Sequence, residues 1–492
     1  MSSFAVLHIT SLPGGGVDRY VRDIARAAAS DHVVWHASDR ADALEVPRRH
    51  ETLALDPRAM ELEPAAVAAW FRARRPGIIH AHSVNEAVRA RTLWAARELN
   101  LPFIVTLHDV LFLRREGFEP GASPEPDPPW LAQASAFIRQ AAAVVVPSDY
   151  IAGIVREHIQ GMEPIVLPNG SRFTSFPAAQ GSASARPEFL ARRPRHVAAV
   201  LGAVGPHKGS AILDALSSHL SGSDIAVVVV GWLDMQVTPG WRGEHVFVHG
   251  AWNDEDVGAL MAAYGAQVAL FPNQVPESFS YALSDVWAAG LPALVPREGA
   301  LGERVERHGG GWFLPRGFGA PEVAGELRRL FSPEGLQDIA RVKSRIAAAD
   351  PARVPPLDDM TRSLDALYER FGIDPAAPDP GSQEAHDLLA KNLDGALFRQ
   401  ELVRLADELV QLRTALEHER SEAAKFATEA RAWIAKLEAD IAGVQSDLAR
   451  EVEARRALGQ ENVQLGIHKA AFDLLPGLVR RMLLKKILNA RS

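Results

Sequence analysis

The 492-residue chain contains no cysteine. That absence excludes disulfides, zinc–thiolate sites, iron–sulfur clusters and thiol nucleophiles. Nowhere does an apolar stretch approach the ~18 residues that a spanning helix needs. The N-terminus, MSSFAVLHITSLPGGG, carries no basic segment ahead of an apolar run of about six residues. Neither a signal peptide nor a membrane span is therefore expected, and a cytoplasmic protein is. Positive charge is in deficit, with 53 Lys+Arg against 61 Asp+Glu and a net charge of −8, which argues against nucleic-acid binding by bulk charge. The sequence also lacks a nucleophile elbow, an HExxH segment, a GxGxxG or Walker A loop, and any basic stretch interleaved with aromatics.

What is present is an alternating pattern. Hydrophobic residues make up 47% and charged residues 23% of the chain, ordinary globular values, and the length fits two or three domains. FAVLHIT (Phe4 to Thr10), GIIHAHS (Gly77 to Ser83), PFIVTLH (Pro102 to His108) and AAVVVPS (Ala142 to Ser148) are continuous apolar runs, each followed by a helical pattern. Strands covered on both faces by helices have this character, so a parallel α/β sheet is expected. The Ser/Ala/Pro-rich stretch Pro177 to Glu188 reads as a linker. A second series follows, with strands predicted at His196 to Val204, Ile225 to Gly231, Val246 to Gly250, Val268 to Pro272 and Pro292 to Pro296. Two successive doubly wound sheets place a cleft between them, a common ligand site.

Beyond the helical pattern of Pro355 to Ile373, a Pro/Gly break leads into a segment of another kind. Leu402, Leu405, Leu409, Leu412 and Leu416 form a heptad series, which resumes after a stutter with Ile434, Leu437, Ile441, Val444, Leu448, Leu458 and Leu465. A coiled coil, and hence a homo-oligomer, is expected. The final stretch, Asp473 to Ser492, sets Val479, Met482, Leu483 and Ile487 beside Arg480, Arg481, Lys485 and Lys486. This basic amphipathic pattern suits peripheral contact with an anionic membrane, or packing on a partner helix.

Three segments are candidates to carry chemistry, against the plainer readings of a tight βα turn for the first and a solvated lysine for the second. Pro13-Gly14-Gly15-Gly16 follows the first strand and precedes a helix, where glycines let backbone N–H groups approach an anion. Gly205-Pro206-His207-Lys208-Gly209 presents a cation at the C-terminal end of a strand. FPNQVPESFSYALSDVWAAGLPALVP (Phe271 to Pro296) places Glu277 in a loop and Asp285 within the following helix, so that two carboxylates accept hydrogen bonds from hydroxyls of one elongated ligand. Asp254-Glu255-Asp256 matches a D-x-D metal motif, but it opens a helical pattern and reads as a cap with first-turn acids. His80 and His82 share one face of a strand end and, without a third ligand nearby, make a poor metal site, so they read as cleft lining or polar termination of the strand.

Glu277-x7-Asp285, with the Ala-Ala-Gly-Leu-Pro after it, resembles the E-x7-E motif of family 4 retaining glycosyltransferases, whose fold is GT-B. Thr106 to Asp109 (Thr-Leu-His-Asp), Leu167 to Gly170 (Leu-Pro-Asn-Gly), the Gly-rich loop and Gly-Pro-His-Lys-Gly occur in the family order, over about residues 1–372. The wording Pro-Glu-Ser-Phe-Ser-Tyr-Ala-Leu-Ser-Asp is similar to the branch that works on bacterial surface polysaccharides such as O-antigen or capsule. The resemblance implies an N-terminal, acceptor-side Rossmann-like domain over 1–180 and a donor-binding Rossmann-like domain over 186–350. A closing helix (351–373), a linker (374–385), the coiled coil (386–466) and the basic tail (467–492) would follow.

It further implies that Glu277 binds donor sugar hydroxyls while Ser278, Phe279 and Ser280 hold sugar and phosphate. Asp285 would grip the ribose, and Lys208, with His207, would neutralise the diphosphate. The Gly15-Gly16 loop would cap it, His108 would sit over the reacting sugar, and Trp252 would border the base. Two departures stand out: Ala203 occupies a position where the family carries Arg, and Asp285 is one methylene shorter than the family's Glu. No metal or other cofactor is expected. The implied reaction moves a hexose or deoxyhexose from a nucleoside diphosphate sugar to a glycan acceptor, lipid-linked if the tail contacts membrane. A non-catalytic scaffold recruiting partners through the coiled coil, and a GT-B sugar-nucleotide epimerase or phosphorylase, are the alternatives.

Overall fold

The computed structural model describes residues 4–374, apart from short stretches of which 115–124 and 177–183 are the longest. The expected coiled coil and basic tail lie outside the described residues. Fifteen strands among the described residues form two sheets. The first contains β1 (Ala5–Thr10), β2 (His32–His36), β3 (Asp42–Val46), β4 (Glu51–Leu55), β5 (Pro76–Ala81), β6 (Phe103–Thr106), β7 (Ala143–Val146) and β8 (Ile165–Val166), in the order β4-β3-β2-β1-β5-β6-β7-β8. The second contains β9 (His196–Val204), β10 (Ile225–Leu233), β11 (Gly240–Arg242), β12 (Val246–Val248), β13 (Val268–Leu270), β14 (Ala293–Val295) and β15 (Gly311–Phe313), in the order β11-β12-β10-β9-β13-β14-β15.

The central strands pair in parallel, as their unbroken apolar runs require. β1 is buried along its whole length, and β9 and β10 align over nine residue pairs from His196↔Ile225 to Val204↔Leu233. The expectation of wholly parallel sheets needs correction at the edges. β2–β3, β3–β4 and β11–β12 pair antiparallel. β3 alternates buried and half-exposed residues, the signature of a strand covered on one face only, and that short alternation is easily passed over beside the longer apolar runs.

Each sheet is packed on both faces. Leu7, Ile9, Trp35, Phe71, Val105 and Phe137 belong to the core on one side of the first sheet, and Val6, Tyr20, Ile78 and Ile104 to the other. Leu357, Met360, Leu364 and Tyr368, one stripe of the helix Leu357–Phe371, fill that second core. The chain therefore returns to its first sheet after completing the second. Gly77 permits the return, because a Cβ there would lie 2.5 Å from the carbonyl oxygen of Ile373, whose N–H donates to Gly77 O at 3.0 Å.

Candidate functional site

Both sheets reverse strand order beside their first strand: β1 is flanked by β2 and β5, and β9 by β10 and β13. Loops leaving the C-terminal ends of such strands diverge and leave a crevice, which makes these two points the natural ligand sites of a doubly wound sheet. In the second sheet the loops concerned hold Gly205 to Gly209 and Phe271 to Ser280.

Lys208 ends a 3-10 turn, Pro206–Lys208, closed by Gly209 at φ 85°. A Cβ at Gly209 would stand 2.1 Å from the Pro272 carbonyl oxygen, so glycine alone lets the turn lie against the end of β13. Gln274 and Val275 donate backbone N–H groups to His207 O at 2.9 and 3.2 Å, tying the two loops together. Lys208 Nζ then stands 3.6 Å from Glu277 Oε1, which also accepts from Asn273 Nδ2 at 2.9 Å. The sequence placed Lys208 and Glu277 in the site, and the fold brings them together. His207 is displaced below its ordinary pKa by burial and by the neighbouring Lys208 cation.

The loop from Glu277 to Ser280 is braced from behind. Ala300 N–H donates to Glu277 O at 2.8 Å, and Gly299 at φ 80° allows that approach, since a Cβ there would meet Glu277 N and O at 2.9 Å. Arg304 donates to the carbonyls of Phe279 (3.1 Å), Ser280 (2.9 Å) and Arg353 (3.0 Å) and to Ser284 Oγ (2.8 Å). Burial pushes the Arg304 guanidinium down to about 9. Ser280 sits at φ 73°, a strained conformation for a residue with a side chain, at the start of the helix Tyr281–Ala288. Phe279, expected among the donor contacts, is 3% exposed, and its ring lies 4.2 Å from the Arg304 guanidinium carbon. Arg304 and Asn273 had escaped the sequence analysis, although Asn273 lies within the segment it singled out.

Asp285, the second carboxylate of the motif, has a partner that spacing could not reveal. Arg19, in the helix Gly15–Ala27, donates to both its oxygens, at 2.8 and 3.0 Å. Burial pushes the Asp285 carboxyl up while Arg19 pulls it down. Around this pair, Arg172 meets Asp23 at 3.1 Å and Asp254 at 2.9 Å, so Asp254 is an ion-pair partner as well as a first-turn acid. The glycine loop joins the same contact, because a Cβ at Gly16 would touch the Tyr281 ring at 3.7 Å. Arg19, three residues after Gly16, supplies a guanidinium to the cleft side that Ala203 does not.

On the first sheet, His108 follows β6 and packs edge-on to Tyr20 with ring centroids 4.6 Å apart. Burial lowers its pKa to about 3, so it is uncharged at neutral pH. His80 and His82, read as cleft lining or polar strand termination, are buried instead within the first sheet's packing. Trp252 packs against Trp232 with centroids 5.9 Å apart, over the end of β10 where Gly231 leaves room for its ring.

Comparison with known proteins follows this geometry. Residues 14–171 match the model of Glycosyltransferase Family 4. HepE from Anabaena, in a structure with UDP-glucose, aligns over 74% of this chain and 99% of its own at 18% identity and a TM-score of 0.57. Sucrose-phosphate synthase from Thermosynechococcus elongatus aligns over 75% and 98% at 17% identity and 0.56. A glycosyltransferase from Rickettsia africae aligns over 75% and 99% at 14% identity and 0.52. No curated protein is significantly similar to the chain. No helix among the described residues is long and apolar enough to cross a membrane. Residues 14–171 thus match Glycosyltransferase Family 4, and the described chain has the GT-B fold.

Proposed function

We propose that the chain transfers a hexose or deoxyhexose, with retention of configuration, from a nucleoside diphosphate sugar to a glycan acceptor in bacterial surface polysaccharide synthesis. The observation that carries this reading is the cluster of Lys208, Glu277 and Asn273 at the switch point of the second sheet. A cation beside a hydrogen-bonding carboxylate, at the C-terminal ends of parallel strands, suits a sugar joined to a diphosphate. Glu277 binds sugar hydroxyls, the amides of Ser278, Phe279 and Ser280 hold sugar and phosphate oxygens, and Trp252 borders the base. Lys208 and His207 stabilise the diphosphate as the bond to the anomeric carbon breaks and negative charge develops there. The Gly15-Gly16 loop caps the diphosphate, and His108 lies over the sugar. Asp285 exchanges Arg19 for the ribose hydroxyls when donor enters.

The coiled coil would hold copies of the chain together, and the basic tail would bring them to the inner face of an anionic membrane where a lipid-linked acceptor resides. Calorimetry of UDP, GDP, ADP and dTDP, and of their common sugars, on wild type and Lys208→Ala tests the donor assignment. The fold neighbour HepE, determined with UDP-glucose, makes that donor the first to try. Binding of one nucleotide class, weakened in the variant, is expected. Folded protein that binds none would leave a scaffold assembled by the coiled coil.

A further inference from the structure

Along four neighbouring strands of the first sheet runs a single row of histidines, with His32 and His8 within β2 and β1 and His82 and His108 just beyond the ends of β5 and β6. His32 Nδ1 lies 2.7 Å from His8 Nε2, His8 Nδ1 lies 2.8 Å from His82 Nε2, and His82 Nδ1 lies 3.2 Å from His108 Nε2. The far end closes on Ser30 Oγ, 3.2 Å from His32 Nε2. His8 and His82 are 0% and 1% exposed, and His32 is 1% exposed. Consecutive rings stand 5.0, 5.1 and 5.5 Å apart, all within 26° of parallel. Every step runs from one ring's Nδ1 to the next ring's Nε2.

That repetition constrains protons. A neutral imidazole has one N–H and one lone pair, so each ring that donates to one side must accept from the other. The row therefore has two consistent states, all four protons on Nδ1 or all four on Nε2. An imidazolium inside it would donate to both neighbours and set the rings on its two sides in opposite tautomers, so a shared tautomer requires every ring to be neutral. Ser30 fits either state, because its hydroxyl donates or accepts. We propose that His32, His8 and His82 are positioning residues that tie the tautomer of neutral His108 to their own through this continuous row of hydrogen bonds, so that the four rings share one state. Burial, which depresses the pKa of His8, His82 and His108 alike, acts in the same direction. A group meeting His108 at Nδ1 then finds a donor when all four protons lie on Nδ1 and an acceptor when all four lie on Nε2. The groups facing the row are His80, Tyr20 and Tyr368, with ring contacts to His8 or His82, and all three are held uncharged by burial.

His8, His80 and His82 also bring ring nitrogens within 4.8 Å of one another, the spacing of a metal site. The hydrogen bonds oppose that use. His80 Nδ1 is taken by Tyr368 Oη at 2.8 Å and Nε2 by Thr106 Oγ1 at 2.7 Å, while both nitrogens of His8 serve the row. The group holds no carboxylate, so a divalent cation there would be buried without a counter-charge.

Nitrogen NMR of the full chain with 15N-histidine tests the lock without any catalytic assay. In wild type the four rings are expected to show the same tautomer, no titration between about pH 6 and 8, and slowly exchanging ring protons. His8→Phe removes the centre of the row, and His108 should then show averaged tautomers. His8→Gln should restore a single one, since a carboxamide accepts on oxygen and donates from nitrogen. The role of His108 rests on the proposed transferase reading, which a second arm probes through slow hydrolysis of UDP-glucose. There kcat should fall ~10-fold in His8→Phe, the scale on which partners of a functional histidine act, and recover in His8→Gln, with KM unchanged. Different tautomers among the four rings in wild type, stoichiometric metal in the purified chain, or an unchanged kcat in His8→Phe would overturn the proposal. The wild-type spectrum decides even if His8→Phe does not fold. A locked row in a protein that neither binds nor hydrolyses nucleotide sugars would count against the transferase reading alone.

Discussion

Arg19 grips Asp285 across 266 positions of sequence, with one guanidinium nitrogen on each carboxylate oxygen at 2.8 and 3.0 Å. Side-chain exposures of 13% and 4% make this a nearly dry, two-pronged pair, and it joins the helix after the glycine loop to the helix after Glu277. Breaking a buried pair from one side is costly because the other charge stays behind. Arg19→Met should therefore lower stability by about 3–5 kcal/mol. Thermal unfolding checks this, and pairing the change with Asp285→Leu should recover most of the loss.

Gly209 holds Lys208 in place by conformation. Alanine there must adopt φ 85° and bring its Cβ against the Pro272 carbonyl oxygen. Strain of that kind costs on the order of 1–3 kcal/mol. Gly209→Ala should lower the melting temperature and weaken nucleotide binding in calorimetry, while Gly222→Ala, also at positive φ but with open space around it, should leave binding unchanged.

Arg304 supports the Glu277 loop through carbonyl oxygens, without an ion pair of its own among the described residues. Arg304→Met leaves the buried carbonyls of Phe279 and Ser280 without this donor, at roughly 1–3 kcal/mol for each unsatisfied group. Arg304→Lys keeps the charge but not the planar fork that reaches four acceptors. Both variants should lose nucleotide affinity, and the lysine variant should lose less stability.

The buried histidines set an acid limit on the fold. His8, His80, His82 and His108 all have pKa values lowered by burial, His108 to about 3. Above the ordinary histidine pKa of about 6.5 both folded and unfolded states are uncharged and no stability depends on these groups. As pH falls below it the unfolded chain takes up protons that the folded one refuses. Stability should drop by up to about 1.4 kcal/mol per pH unit for each group. The decline continues towards each folded-state pKa. Melting temperatures measured from pH 8 to 5 check this, and His80→Gln should flatten the acid limb.

The parallel core of each sheet was legible because strands buried on both faces are written as unbroken apolar runs, as in His196–Val204, where the predicted and observed bounds coincide. The outer strands β2, β3, β4, β8, β11 and β15 were not, because their signal is short and the place of each depends on the edge its neighbour leaves free. Lys208 and Glu277 could be named from sequence since each belongs to a local loop whose type and position follow a strand. The sequence by itself determined the alternating architecture, the local turns that carry those two side chains, and a chemistry without cysteine. Only tertiary structure decided that Arg19 would meet Asp285, that Arg304 would support the Glu277 loop, and that four histidines scattered from position 8 to 108 would join in one row. Such partners are fixed by sheet order and by helix packing across the cleft, and distances of this kind leave no period in the chain.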